Sequence, residues 1–511
     1  MNILPFICAA FLLINPVLLA VFRRFEIQLE KLQFWIMVSS GTAWIFSGIL
    51  LFLNPESHLN PIWNAGEDLL PSLAFSLDWV SASLALSVCS ALFYVVLTRQ
   101  ESPRENALLS GLSGFSVLAL FADSAYSLAL FWTAVELFRF SLAIPLPEQG
   151  RISNAYLAGV LVRLSAPGLL ILASLTGSGT ENSPFLTEWE HNAAFPLLAA
   201  GFIGFVGWFL GPLSTQEEGG GTSQSIFQAW IPASLGLVLL IRGGTVLGDA
   251  PAFSALPLVI AILLILAALG SVLLDNAKDW WFVGCGLLAA GGAALAQPAS
   301  ALSWGIVFML PGSLLWSERE KAHPSILILG LAGLGTLPFP FLPAWSGSVV
   351  FREGLPGILL AAGAGIFLGA LIVAVLKRLP RMKEEKAELT PLLIIGSVIL
   401  TLSQVLIAFR LGLLEASRGL LSGPIAVWLT PFLAVLVLVL GNWVPLTRKD
   451  LIASRLAWFA DRLRQFLSEM YSVIKRIVDL LSNLLEGDGG LIWALLFGFL
   501  LITLISLRGG R

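Results

Sequence analysis

The feature that most constrains this chain is a succession of sixteen apolar stretches, most of them about 20 residues long, with nearly all charge confined to the connections between them. The stretches run near 3–22, 33–53, 78–98, 107–122, 125–146, 153–175, 194–213, 229–247, 255–274, 280–297, 300–316, 325–345, 355–376, 390–411, 424–445 and 490–507. Each is long enough to cross a bilayer as a helix. Lipid offers no hydrogen-bond partners, so the backbone of such a segment must satisfy itself, and helices do this within one segment. The expectation is an all-α integral membrane protein of about 16 transmembrane helices. Composition agrees: 57% of the 511 residues are hydrophobic and 12% are charged, against about 25% charged in soluble domains. The first stretch lacks a basic leader and a small-residue cleavage site, so it is expected to remain as a span.

Charge in the connections sets the orientation. Arg23, Arg24, Lys31, Arg99, Arg104, Arg151, Lys278, Arg319, Lys321, Lys377, Arg378, Arg381, Arg448 and Lys449 all follow odd-numbered spans. The even connections are acidic or neutral, as with Glu67, Asp68, Glu181 and Glu188. The positive-inside rule then puts the odd connections of this multi-pass protein in the cytoplasm and the N-terminus outside.

One segment is amphipathic instead of apolar. From 448 to 486, Ile452, Leu456, Phe459, Leu463, Phe466, Met470, Ile474, Ile477, Leu481 and Leu484 recur at steps of three and four. The opposite face carries Arg455, Asp461, Arg462, Glu469, Lys475 and Asp479. Such a helix, roughly 55–60 Å long at 1.5 Å per residue, is expected to lie flat at the cytoplasmic surface, either as an interfacial helix or as a lateral brace laid against other helices of this chain or a neighbour. The domain layout expected is therefore a transmembrane core over 1–447, the lateral helix over 448–486 and a final anchor over 490–507.

Several functions are excluded or disfavoured. A net charge of −3 with no basic run does not suit nucleic acid. Cys8, Cys89 and Cys285 show no metal or redox spacing and are expected to be packing residues. His58, His191 and His323 fall in connections, which disfavours a bis-histidine haem in the membrane. No catalytic residue, metal site or cofactor ligand set is expected in this chain.

Ionisable groups at membrane depth are costly and mark candidate sites. Glu136 lies in FWTAVELFRFSLAIP with Arg139 three residues on, on one helix face. Arg163, alone in its span, is expected either to pair with Glu136 or to snorkel. Asp123, Arg242, Asp275 and Lys278 sit near span ends, where solvation is expected, and Asp78 is expected to cap span 3. Two spans are expected to be broken: span 7 by Gly204, Gly207, Gly211 and Pro212, and span 12 by Gly333, Gly335, Pro338, Pro340 and Pro343. They are five apart, so they fall fourth in two five-span units, 4–8 and 9–13, near 107–247 and 255–376. A unit of odd length repeated once is inverted.

These features together resemble the antiporter-like membrane subunits of respiratory complex I, Mrp-type antiporters and membrane-bound hydrogenases. SLAFSLDWVSASL resembles the family's entry into span 3, FADSAYSLALFWTAVELFRFSL its span 5, LLDNAKDWW its acidic–lysine element after span 9, and LAGLGTLPFPFLPAW its span-12 break. The resemblance implies a fourteen-helix core of two inverted five-helix repeats, with a lateral helix and a last span. It implies a proton or cation path through Glu136, Arg139, Arg163, Asp275 and Lys278, past the breaks at Gly207, Gly211, Pro212, Gly335, Pro338 and Pro340. The family lysines of spans 7 and 11 and the family histidine of span 8 are absent here, where spans 8 and 11 offer only Arg242; Ser234, Gln228 and Ser313 are the polar side chains offered instead. The implied function is an antiporter-like subunit of a multisubunit proton- or sodium-translocating complex, with a reduced channel. The alternatives are a non-transporting scaffold subunit or an independent secondary transporter. Expected partners are other membrane subunits and the lipid bilayer, with any iron–sulfur cluster or flavin held by those subunits.

Overall fold

The computed structural model describes residues 3–25, 29–53, 57–59, 74–98, 103–143, 154–175, 186, 189, 194–210, 227–248, 256–273, 277–316, 326–338, 342–352, 354–378, 391–410, 425–443 and 476. The chain divides into two compact units, Met1–Pro445 and Leu446–Arg511. The expected lateral helix, Arg476 apart, and the last span fall in the second and lie outside the described residues.

The described residues of the first unit are helical almost throughout. Its helices are α1 (Leu4–Arg24), α2 (Leu29–Phe52), α3 (Trp79–Thr98), α4 (Pro103–Phe121), α5 (Ala125–Ala143), α6 (Asn154–Leu175), α7 (Ala194–Leu210) and α8 (Phe227–Val246). There follow α9 (Leu256–Leu273), α10 (Ala277–Ala294), α11 (Pro298–Trp316), α12 (Ile326–Thr336), α13 (Pro343–Gly347), α14 (Gly354–Arg378), α15 (Pro391–Arg410) and α16 (Ile425–Trp443). The close pairs of spans 4/5 and 10/11 are separate helices, divided by turns at 122–124 and 295–297. Among the described residues, α1, α2, α3, α11, α14 and α15 are each long and apolar enough to cross a membrane. Among the described residues one element is not helical: an antiparallel strand pair, β1 (Ser57–Leu59) with β2 (Phe75–Leu77), joins Ser57 to Leu77 and Leu59 to Phe75. It falls in the connection before α3, and nothing in that segment's pattern announces it.

Serine-rich spans stay helical in an apolar setting because hydroxyls can bond back to their own helix. In the buried α3, Ser87 donates to the Ser83 carbonyl, Ser90 to Leu86 and Thr98 to Tyr94. Asn15 of α1 instead ties helices together, donating to Ser39 of α2 and Ser110 of α4, each at 2.7 Å. Polar contacts at the two ends show the alternation of the helices. At one end Gln33, early in α2, donates to the Val96 carbonyl late in α3 and accepts from Asn106, early in α4. At the other, Arg410 at the end of α15 donates to the Leu51 carbonyl at the end of α2.

Two sets of helices pack in parallel ways. In the first, α4 packs on α5 and α8, and α6 packs on α5 and α7. In the second, α9 packs on α10 and α14, and α11 packs on α10, α12 and α13. The sets differ at one place: α7 lies along α8, whereas α13 reaches α14 through the 3-10 turn Ser348–Arg352.

Candidate functional site

Glu136 and Arg163 meet between α5 and α6. Arg163 donates through Nε to Glu136 Oε1 at 2.7 Å and through Nη2 to Oε2 at 3.1 Å. The side chains are 0% and 2% exposed. A guanidinium fork on a carboxylate is the geometry best able to hold both charges without water, which a lysine could not reproduce. Of the two expectations for Arg163, pairing is the one observed. Arg139, one turn beyond Glu136, is also buried. Trp132, one turn before it, lies with its indole against the bare backbone of Gly204 on α7.

That contact bears on the expected break of span 7. Gly204 and Gly207 sit inside α7, which is one continuous helix from Ala194 to Leu210. This corrects the expectation for these two residues: at Gly204 the missing side chain makes room for Trp132, and no turn of helix is lost. Gly211 and Pro212 lie outside the described residues. Span 12 is interrupted. Helix α12 ends at Thr336 and α13 starts at Pro343, with Gly335 in the last turn and Pro338 just beyond it. Pro340 and Asp275 lie outside the described residues, and Lys278 falls in the first turn of α10.

A second charged cluster joins segments far apart in the chain. Arg242, 1% exposed, donates from α8 to the carbonyls of Ala122 (2.6 Å) and Leu120 (3.3 Å) and to Ser81 Oγ (3.1 Å). It pairs with Asp78 at 3.3 Å and Asp123 at 3.6 Å. Asp78 also accepts from the Ser81 backbone N–H and so caps α3. The expectation of solvated ends for Asp123 and Arg242 is corrected: both are buried, because the start of α3 and the ends of α4 and α8 converge there. The shared end also agrees with the alternation of spans. Sequence reasoning missed this cluster. The one signal was an arginine five residues inside a predicted span end, facing aspartates in two other connections.

The seam between the two helix sets, where α7 and α8 meet α10 and α11, is aromatic. Phe205 of α7 stacks on Phe282 of α10 with centroids 4.4 Å apart, and meets Phe308 of α11 edge-on at 5.5 Å. Trp230 of α8 lies 5.1 Å from Phe308, and Phe282 also lies 5.1 Å from it. A side chain at Gly286 would collide with the Phe205 ring. Ser234 and Ser313 donate to the carbonyls of Ile231 and Met309 in their own helices. Two of the three polar side chains offered in place of lysines are therefore turned onto backbone; the side chain of Gln228 lies outside the described residues.

The arrangement of helices matches solved structures over most of the chain. A chain of the Mrp complex from Dietzia sp. DQ12-45-1b matches 100% of this chain with TM-score 0.63 and 15% identity. The fold is that of an antiporter-like membrane subunit. This chain spans 63% of the length of that Mrp chain. A chain of the membrane-bound sulfane sulfur reductase, an archaeal respiratory membrane complex, matches at TM-score 0.60 and 15% identity, covering 98% of this chain and 99% of its own. A chain of respiratory complex I from Thermus thermophilus, with bound Aureothin, matches at TM-score 0.57 and 15% identity, covering 82% of this chain and 100% of its own. No family model and no curated protein sequence matches the chain. At this identity the antiporter-like likeness is one of fold.

Proposed function

We propose that this chain is a membrane subunit of a multisubunit ion-translocating complex, serving there as a scaffold whose own central path is closed. The aromatic seam carries this reading. Phe205, Trp230, Phe282 and Phe308 fill the junction of α7, α8, α10 and α11 with ring-on-ring contacts and leave the neighbouring hydroxyls bonded to backbone. A proton path needs water or titratable groups in sequence, and rings packed at this density admit neither. In this proposal the core is a pair of inverted five-helix repeats, α4–α8 and α9–α14. The two sets' matching neighbour pairs support this, as does the interruption after α12. The segment 448–486 braces neighbouring subunits at the cytoplasmic face of the plasma membrane, the N-terminus is outside, and any iron–sulfur or flavin chemistry belongs to partner subunits.

The test is to purify the tagged full-length chain in mild detergent, size it on a native gel and identify its companions. Companion membrane subunits are expected, and truncation of 448–511 should release some of them. A lone chain of monomer size contradicts the proposal.

One observation favours a second reading, in which the subunit still relays protons or sodium. The buried fork of Arg163 on Glu136 is a charge pair that a change in protonation would open. In that case Glu136→Gln abolishes ion movement by the complex while assembly persists. Normal transport in Glu136→Gln excludes the relay.

A further inference from the structure

We infer that Cys8 of α1 and Cys89 of α3 form an oxidation site inside the helix bundle: two thiols that a lipid-soluble hydroperoxide converts to a disulfide. Their spacing in the chain gives no sign of it, since 81 positions separate them. Packing brings them together. Helices α1 and α3 each lie against α2 on one side and α4 on the other. Helix α4 closes on α1 because Gly114 has no side chain: a Cβ there would lie 2.8 Å from Leu13 Cγ and 3.2 Å from the Ala9 carbonyl oxygen. Cys8, next to Ala9, is thereby held within the four-helix group, against Cys89.

The geometry suits a sulfur–sulfur bond. The two Sγ atoms are 3.8 Å apart, a contact roughly 1.8 Å longer than a disulfide bond. Cys8 also donates to the Ala43 carbonyl of α2 at 3.4 Å. Its one hydrogen is thereby engaged, so towards Cys89 it offers sulfur lone pairs. Both cysteines are 0% exposed. A charged oxidant dissolved in water does not reach such a pair, whereas a neutral one dissolved in lipid approaches from the apolar side. Cys285, buried on α10, is the third cysteine of the chain and has no thiol left to pair with.

The reaction balances with a hydroperoxide as the oxidant. One thiol attacks the terminal peroxide oxygen. Its S–H bond and the O–O bond break, an S–O bond forms, and the alcohol leaves with the thiol's proton, so that this cysteine becomes a sulfenic acid. The second thiol attacks that sulfur. The S–S bond forms, the S–O bond breaks, and water leaves with the second proton. Two electrons pass from the sulfurs to the peroxide. The product ties α1 to α3 directly and closes the chain between them into a covalent loop. The site involves neither Glu136 nor Arg163 and does not depend on whether the subunit conducts.

The experiment treats the purified full-length chain, with any companions that copurify, with tert-butyl hydroperoxide in mild detergent. The chain is then denatured, its remaining thiols are alkylated and its mass is read. Expected are three alkylated thiols before treatment and one after it, with all three recovered when a phosphine reductant precedes alkylation. Cys8→Ala and Cys89→Ala should each keep two alkylated thiols before and after treatment. The inference is overturned if wild type keeps three, if its cysteines gain oxygen separately, or if Cys8→Ala loses thiols as wild type does. If neither variant folds, the wild-type protein decides on its own. A proteolytic fragment joining α1 to α3, lighter by two hydrogens than its separate parts, supports the site, and unjoined fragments overturn it.

Discussion

The two helix sets share their packing scheme but not their chemistry. Within α4–α8 and its turns, Asp123, Glu136, Arg139, Arg163 and Arg242 are all buried. Within α9–α14, the buried polar groups among the described residues are hydroxyls: Ser271, Ser300, Ser303, Ser313, Thr336, Ser346 and Ser348. Those hydroxyls bond back to their own helix, as where Ser313 donates to the Met309 carbonyl, or across to a neighbour, as where Ser300 of α11 donates to the Gly347 carbonyl of α13 at 2.6 Å. The comparison teaches that, among the described residues, the second set is held by packing and by neutral hydrogen bonds, whereas in the first set compensated charge also locks particular helices together.

The largest effect should come from breaking the charge pair of the first set. Arg163→Leu leaves Glu136 without its partner in a dry site and should cost about 3–5 kcal/mol of stability, read as a fall in Tm or in folded yield. Adding Glu136→Leu should restore most of the loss, because removing both charges also removes their desolvation cost. A double variant as weak as the single would show that the fork does more than neutralise itself.

Next comes the seam that both sets share. Gly286→Val forces a side chain into the Phe205 ring and should cost about 1–3 kcal/mol, measured by the same unfolding assay. A similar cost is expected at the opposite end of the first set, where Asp78→Ala removes both the α3 cap and a partner of Arg242, about 1–3 kcal/mol. The smallest effect belongs to the second set. Ser313→Ala removes a hydroxyl that only bonds back to Met309 and should change stability by less than about 1 kcal/mol. A large loss there would erase the contrast between the halves.

What was legible in the amino-acid sequence follows from the same physics. Span order was readable because length and apolarity decide whether a segment suits lipid, and α1 to α16 follow the expected order. Glu136 was readable as a carboxylate at depth. Its partner was only half readable, since helix periodicity favours Arg139 and only tertiary packing brings Arg163 across from α6. Proximity to a span end made Arg242 and Asp123 look solvated, whereas convergence of three helix ends buries them. Gly204 looked like a helix breaker, yet a glycine beside an indole on a facing helix is a packing device. The aromatic seam left no trace, because a phenylalanine facing lipid and one facing another ring look alike in a pattern of apolar residues.

The closed seam is the central claim, and ion flux tests it most directly. The full-length chain would be reconstituted in liposomes loaded with a pH-sensitive dye, and a proton or sodium gradient imposed. The account predicts flux no greater than in empty liposomes, for wild type and Glu136→Gln alike. Flux above that background in wild type, abolished in Glu136→Gln, would contradict it.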